Sequence, residues 1–227
     1  MSEVLRKRIS CVLKTIVVLS ALAGTFISAY AGSSSFMGGT KVFMYFTIQS
    51  NLFMAAIAAA GLYLLIKKKP VGEGLYVFKL VGTVAITLTG VVYTFVLLPA
   101  YGPVIWSFHN ALTHLVVPVA AIADFFLMVP SVKIGKRNVL FVLIPPFLYA
   151  VYAGIGFVNG WEFSDGKNYP YFFLNWGSPA GAFGFTRGLP FMGTAWWIAI
   201  LFVFLIILGY AYLAIAEAIR KIRIKKQ

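Results

Sequence analysis

Residues 41–66 read KVFMYFTIQSNLFMAAIAAAGLYLLI, and Lys67, Lys68 and Lys69 follow at once. About 20 predominantly apolar residues suffice for a helix to cross the hydrocarbon core of a bilayer. A run of lysines at the end of such a stretch marks where it leaves the lipid. Five further stretches share this character, at 9–31, 74–99, 105–129, 138–158 and 192–219. The reading is therefore all-α: a single transmembrane domain, 1–227, built as a six-helix bundle.

Composition agrees. The 227 residues are 61% hydrophobic and 11% charged, whereas about a quarter of a soluble domain is charged. The net charge of +13 is not the signature of a nucleic-acid partner. Its lysines and arginines cluster at 6–8, 67–69, 133–137 and 220–226, each at the end of an apolar span. Alternate inter-span loops are nearly free of them. This is the positive-inside pattern. It puts both termini in the cytoplasm, directs spans two and four from outside inward, and makes membrane lipids the first partner. Cys11 is the one cysteine, which excludes an intrachain disulfide. Residues 1–31 also resemble a signal peptide, with ISAYA before GSSS. Lys14 and the length of the apolar run favour a retained helix instead.

The longest loop, 159–191, is external on this topology and carries nine aromatic residues from Trp161 to Phe185. Aromatic rings favour the headgroup region, and long loops often carry function. The loop is thus either an interfacial anchor or a lid over a cavity opening to the outer leaflet.

Ionisable residues within spans are costly and mark function by default, whereas Thr, Ser and Asn there commonly serve as glue between helices. Span two carries Thr47, Gln49, Ser50 and Asn51 in its outer half. Span four reads WSFHNALTHLVVPVAAIADFF, and its Asn110, His114, Val117, Ala121 and Asp124 share a helical stripe. Asp124 lies ten residues beyond His114, about 15 Å along a helix, and so cannot orient the imidazole. Pro118 lacks an N–H and leaves the carbonyl of His114 without its helical donor. Lys14 and Lys79 sit near the inner surface and can snorkel toward it. Thr47 and His114 fall at similar depth, so a hydroxyl nucleophile and a histidine base can meet there. Asn51, Asn110 and Ser50 are the polar groups available for an oxyanion. His109, Tyr93, Tyr169 and Trp176 are candidates to line a substrate pocket. Two histidines and one acid at these spacings make no metal site, and no cofactor is implied. The alternative reading of the same residues is a binding protein or transporter, with Thr83, Thr87 and Thr94 lining its cavity.

Three segments carry a resemblance: YFTIQSNLF at 45–53, an H-x-x-x-P within THLVVPVAAIADFF at 113–126, and NYPYFFLNW at 168–176. Together they resemble the androgen-induced-gene family of six-span membrane proteins, including its bacterial members. Characterised animal members are intramembrane threonine hydrolases of fatty acid esters of hydroxy fatty acids. The resemblance implies that Thr47 is the nucleophile and His114 the base, acting on a lipid ester in a membrane, the plasma membrane for a bacterial host. The animal members carry histidine where this chain has Ala111, and threonine where it has Leu115. A related branch uses a cysteine to move acyl groups between lipids, and Cys11 does not match that position. A lipid acyltransferase differs from a hydrolase only in the acceptor, water or a lipid alcohol.

Overall fold

The computed structural model describes residues 2–31, 39–164 and 166–224. Among them are six helices long and apolar enough to cross a membrane, and the chain is an all-α integral membrane protein. They are α1 (Glu3–Ala31), α2 (Phe46–Ile66), α3 (Glu73–Tyr101), α4 (Phe108–Leu127), α5 (Lys136–Val158) and α6 (Thr194–Ile224). The GSSS segment that raised the signal-peptide question lies outside the described residues. α1 itself packs into the bundle against α2 and α4.

α3 is the central helix. Every residue from Lys79 to Thr89 is buried, as expected of a helix apolar on all sides. The outer helices show the opposite pattern: Phe26, Phe147, Val203 and Ile207 are exposed, which suits a lipid-facing surface. One end of the bundle gathers the start of α1, the α2–α3 and α4–α5 links, and the end of α6. There Arg220 donates to the carbonyls of Pro130 and Val132, and Arg223 to those of Phe126, Leu127 and Val129. Arg223 caps the open carbonyls at the end of α4, and Arg220 ties down the link that follows.

Two helices widen at the level of the polar residues. α3 makes a π turn at Tyr93–Leu97 and α4 another at Leu112–Val116. Each ends two residues before a proline, in YTFVLLP (93–99) and LTHLVVP (112–118). The proline offers no N–H to the carbonyls behind it, and the i→i+5 register takes up the slack. In α4 the Val117 N–H bonds to Leu112, so the orphaned carbonyl is that of Thr113. The expectation that it would be His114's assumed an ordinary α register.

Three further differences from the sequence reading follow from local chemistry. α2 begins at Phe46 rather than 41, because residues Gly39–Met44 form a 3-10 turn and Tyr45 is extended. Thr47 therefore sits in the first turn of its helix. α1 and α6 run beyond the expected 9–31 and 192–219, since their basic ends stay helical. Lys14 and Lys79 do not snorkel; both are buried against Asp124, at 2.6 and 2.7 Å. The Asp124 carboxylate is the nearer partner for both ammoniums.

The aromatic loop divides its work. Tyr171, Phe172, Phe173 and Leu174 are buried, a plug built around a 3-10 turn at Phe172–Leu174. Phe183 and Phe185 remain exposed, as rings in the headgroup region would be.

Candidate active site

Thr47 and His114 meet. Thr47 Oγ1 lies 3.2 Å from His114 Nε2, and both side chains are buried. The other ring nitrogen, Nδ1, is 3.0 Å from the carbonyl oxygen of Asn110. A carbonyl can only accept, so Nδ1 carries the hydrogen and Nε2 presents a lone pair to the threonine hydroxyl. Thr113 Oγ1, also 3.0 Å from Nδ1, shares that hydrogen while donating its own to the carbonyl of His109. A backbone carbonyl thus fixes the tautomer and orientation of this ring, one of the two tasks of the carboxylate in a Ser-His-Asp triad. The Tyr93 ring stacks on the imidazole at 4.0 Å and 26°, and its hydroxyl donates to the carbonyl of Ile105. The histidine is held by both faces of its chemistry, ring plane and ring nitrogen.

Close helix approach makes the meeting possible. A Cβ on Gly90 would stand 3.0 Å from the His114 carbonyl oxygen, and one on Gly24 would stand 2.6 Å from Thr113 Cγ2. Small residues of this kind are what allow membrane helices to pack backbone to backbone. Glycines of α1 and α3 therefore clamp the widened turn of α4 from two sides.

The predicted oxyanion donors are otherwise employed. Asn51 Nδ2 donates to the carbonyls of Thr47 (2.8 Å) and Thr113 (3.1 Å), filling the acceptor that Pro118 orphans. Ser50 Oγ contacts the Thr47 carbonyl and Thr89 Oγ1, joining α2 to α3. Asn110 Nδ2 donates to Ile105. These residues build the site rather than line it. The donors that do face Thr47 are different ones. Its own backbone N–H lies in the first turn of α2, where no carbonyl precedes it in the helix, and it reaches Tyr171 Oη at 3.4 Å. Tyr171 Oη is also 3.4 Å from Thr47 Oγ1. Since the threonine hydroxyl gives its hydrogen to Nε2, the phenol is the donor in that contact. Burial pushes the Tyr171 hydroxyl above its ordinary pKa, so it stays protonated and able to donate. The positive end of the α2 dipole adds to the same field.

A narrow apolar cavity of about 60 Å³ begins at Thr47 and Tyr171. Thr89 and Val92 of α3, Pro146 and Tyr149 of α5, Phe173 of the plug, and Leu201 and Phe202 of α6 also border it. α6 packs on the start of α5, where Gly209 meets Val139 and Val142. Farther along, the exposed Phe147 of α5 and half-buried Phe202 touch ring to ring, centroids 6.5 Å apart. The cavity thus lies just behind the α5–α6 seam.

Of the pocket residues expected from sequence, Tyr93 belongs to the site as the imidazole's stacking partner. His109 bonds to Ser107 Oγ and reaches the pair only through its backbone carbonyl. Tyr169 and Trp176 flank the plug and do not border the cavity. Thr83 and Thr87 return their hydroxyls to their own helix, and Thr94 is exposed. Tyr171 was the residue missed. Its signal was present in NYPYFFLNW, but nothing in spacing tells which of two tyrosines turns inward. Asp124 stands apart from His114, as the spacing required.

Compared with known proteins, the chain matches no family model, no curated protein and no solved structure.

Proposed function

We propose that this protein is an intramembrane hydrolase of lipid esters, with Thr47 as nucleophile and His114 as general base. The observation that carries the proposal is the 3.2 Å contact between Thr47 Oγ1 and a His114 Nε2 whose tautomer is fixed by the Asn110 carbonyl. Buried threonine–histidine contacts that serve only as helix glue do not need a donor set around the hydroxyl. This one has the Thr47 N–H and the Tyr171 phenol beside it.

The reaction follows from those positions. Thr47 Oγ attacks the acyl carbonyl carbon while Nε2 takes its proton. The tetrahedral oxyanion gains hydrogen bonds from the Tyr171 hydroxyl and the Thr47 N–H. Collapse breaks the ester C–O bond, and the leaving alkoxide takes the proton from Nε2. Water, deprotonated by the same nitrogen, then attacks the acyl-threonine, frees the fatty acid and restores the hydroxyl.

The apolar cavity behind the α5–α6 seam suits an acyl chain arriving from the lipid. Fatty acid esters of hydroxy fatty acids, or esters like them, are the substrate class implied by the resemblance to the androgen-induced-gene family. The basic clusters put both termini in the cytoplasm and the Thr47 pair in the outer half of the membrane. For a bacterial host this is the plasma membrane.

The test is intact mass of the detergent-purified protein after exposure to a lipid-like fluorophosphonate, followed by hydrolysis of a fluorogenic long-chain ester. One adduct is expected on the native protein and none on Thr47→Ala. Thr47→Ala and His114→Ala should each abolish ester hydrolysis while remaining folded. Hydrolysis surviving either substitution refutes the mechanism. A folded protein that forms no adduct and cleaves no ester transfers the weight to a lipid-binding or transport role.

A further inference from the structure

A second polar cluster lies toward the basic end of the bundle, on side chains that the Thr47 site does not use. Lys14 Nζ contacts both carboxylate oxygens of Asp124, at 2.6 and 2.8 Å, and Ser10 Oγ at 2.6 Å. Lys79 Nζ contacts Asp124 Oδ2 at 2.7 Å and the Asp124 carbonyl at 3.0 Å. Ser10, Lys14, Lys79 and Asp124 are all at least nine-tenths buried. Two ammoniums therefore share one carboxylate inside the bundle. Buried charge is ordinarily balanced, and this cluster carries one positive charge in excess.

The excess faces open space. A cavity of about 610 Å³ has Lys14, Lys79 and Asp124 in its wall, and Lys7, Lys68 and Lys69 also border it. Five lysines there meet only Asp124 and Glu3, and Glu3 is already engaged with Lys7. The remaining wall is apolar, with Met54, Ile57, Leu75 and Met128 among its residues.

Lys68 supplies an independent observation. It ends α2 in the left-handed region, φ 54°. The Lys68 N–H bonds to Leu65 and the Lys69 N–H to Leu64. This is the Schellman closure, in which the left-handed position is normally glycine. A lysine there costs stability that a glycine would not. Strain of this kind persists where the side chain is used, and this side chain borders the cavity.

We propose that this cavity binds a phosphate-bearing anion, its charge set against Lys79, Lys68 and Lys69 and any apolar portion against the Met54–Met128 wall. Lysine ammoniums serve phosphate as point charges, and the bound anion balances the excess charge of the buried cluster. The same chemistry is offered by the head group of an anionic phospholipid and by free phosphate.

The experiment uses the full chain, stripped of lipid in an uncharged detergent, with thermal unfolding as readout. Its arms are phosphatidylglycerol, phosphatidylcholine of the same chains, and inorganic phosphate. Phosphatidylglycerol is expected to raise Tm by about 3 °C or more beyond phosphatidylcholine. If inorganic phosphate also raises Tm, the anion itself is the ligand; if it does not, the lipid head group is. Lys79→Gln, which leaves Lys14 and Asp124 as a balanced pair, should weaken binding about tenfold or more. Lys68→Gly separates ligand from scaffold, because the two effects have opposite signs. It should raise Tm without ligand and weaken phosphatidylglycerol binding about threefold or more. Equal stabilisation by the two lipids with none by phosphate, or none by any arm, overturns the proposal. So does unchanged affinity in Lys68→Gly, which decides the matter even where Lys79→Gln fails to fold.

Discussion

Replacing Asn51 by leucine tests whether the widened turn of α4 is held as its geometry implies. The amide donates two hydrogen bonds, to the carbonyls of Thr47 and Thr113. Buried side-chain hydrogen bonds in membrane bundles average about 0.6 kcal/mol each, with a maximum near 1.7. Leucine has the same branched outline of four heavy atoms as asparagine and is larger, so no cavity term enters, and Asn51→Leu should cost about 1–3 kcal/mol. The two bonds are not equivalent. The Thr47 carbonyl keeps Ser50 Oγ at 3.0 Å, whereas the Thr113 carbonyl is left bare. Val117 N–H is committed to Leu112, and residue 118 is a proline. Pro118→Ala restores an N–H five residues beyond Thr113, the donor that the π register lacks. In that background Asn51→Leu should cost less by about one bond, 0.6–1.7 kcal/mol. The assay is a double-mutant cycle from reversible unfolding in mixed detergent micelles, followed by far-UV circular dichroism. Additive costs, within about 0.3 kcal/mol, would refute the claim that Asn51 replaces the donor removed by proline.

Four other outcomes are expected. Gly90→Ala puts a Cβ 3.0 Å from a backbone oxygen that cannot swing aside; α4 must step back, and fluorophosphonate labelling of Thr47 should slow by about tenfold while the protein stays folded. Labelling at the native rate would show that the helix contact does not set the 3.2 Å distance. Tyr171→Phe deletes a donor facing Thr47 and should lower ester hydrolysis by about 10²-fold, with substrate affinity little changed; an unchanged rate would remove Tyr171 from the mechanism. Thr47→Ser keeps an attacking hydroxyl beside Nε2 and should retain labelling that Thr47→Val loses, so equal labelling of the two would exclude residue 47 as nucleophile. Asp124→Asn strands two ammoniums and should destabilise the bundle by about 3–5 kcal/mol. A loss under 1 kcal/mol in the same micelle assay would mean the cluster is hydrated.

How far the site could be read in the sequence differs residue by residue. Thr47 and His114 could be paired as candidates because an imidazole inside lipid is costly and their depths could be counted from the basic clusters. Tyr171 could not, because a loop has no period to say which ring faces in. Asn51 was visible as a polar residue but its role was not. Whether an amide points at a ligand or closes a gap in a neighbouring helix depends on a carbonyl 62 residues away. The fates of Lys14 and Lys79 turned on Asp124, 110 and 45 residues distant, and so could not be settled from their positions near a span end.

The sequence by itself determined that this chain lives in a membrane as six helices, because transfer of apolar residues into lipid is a property of each segment taken alone. It also determined that His114 and Asp124 stay apart, since both ride one rigid helix. Only the tertiary structure decided which polar groups share a partner. That choice rests on where α3 and α4 widen before their prolines and where Gly24 and Gly90 let backbones touch. The tautomer of His114, the donors around Thr47 and the excess charge beside Asp124 are all consequences of contacts between helices. Within lipid every backbone polar group must be satisfied inside the protein, and the packing alone says by which partner.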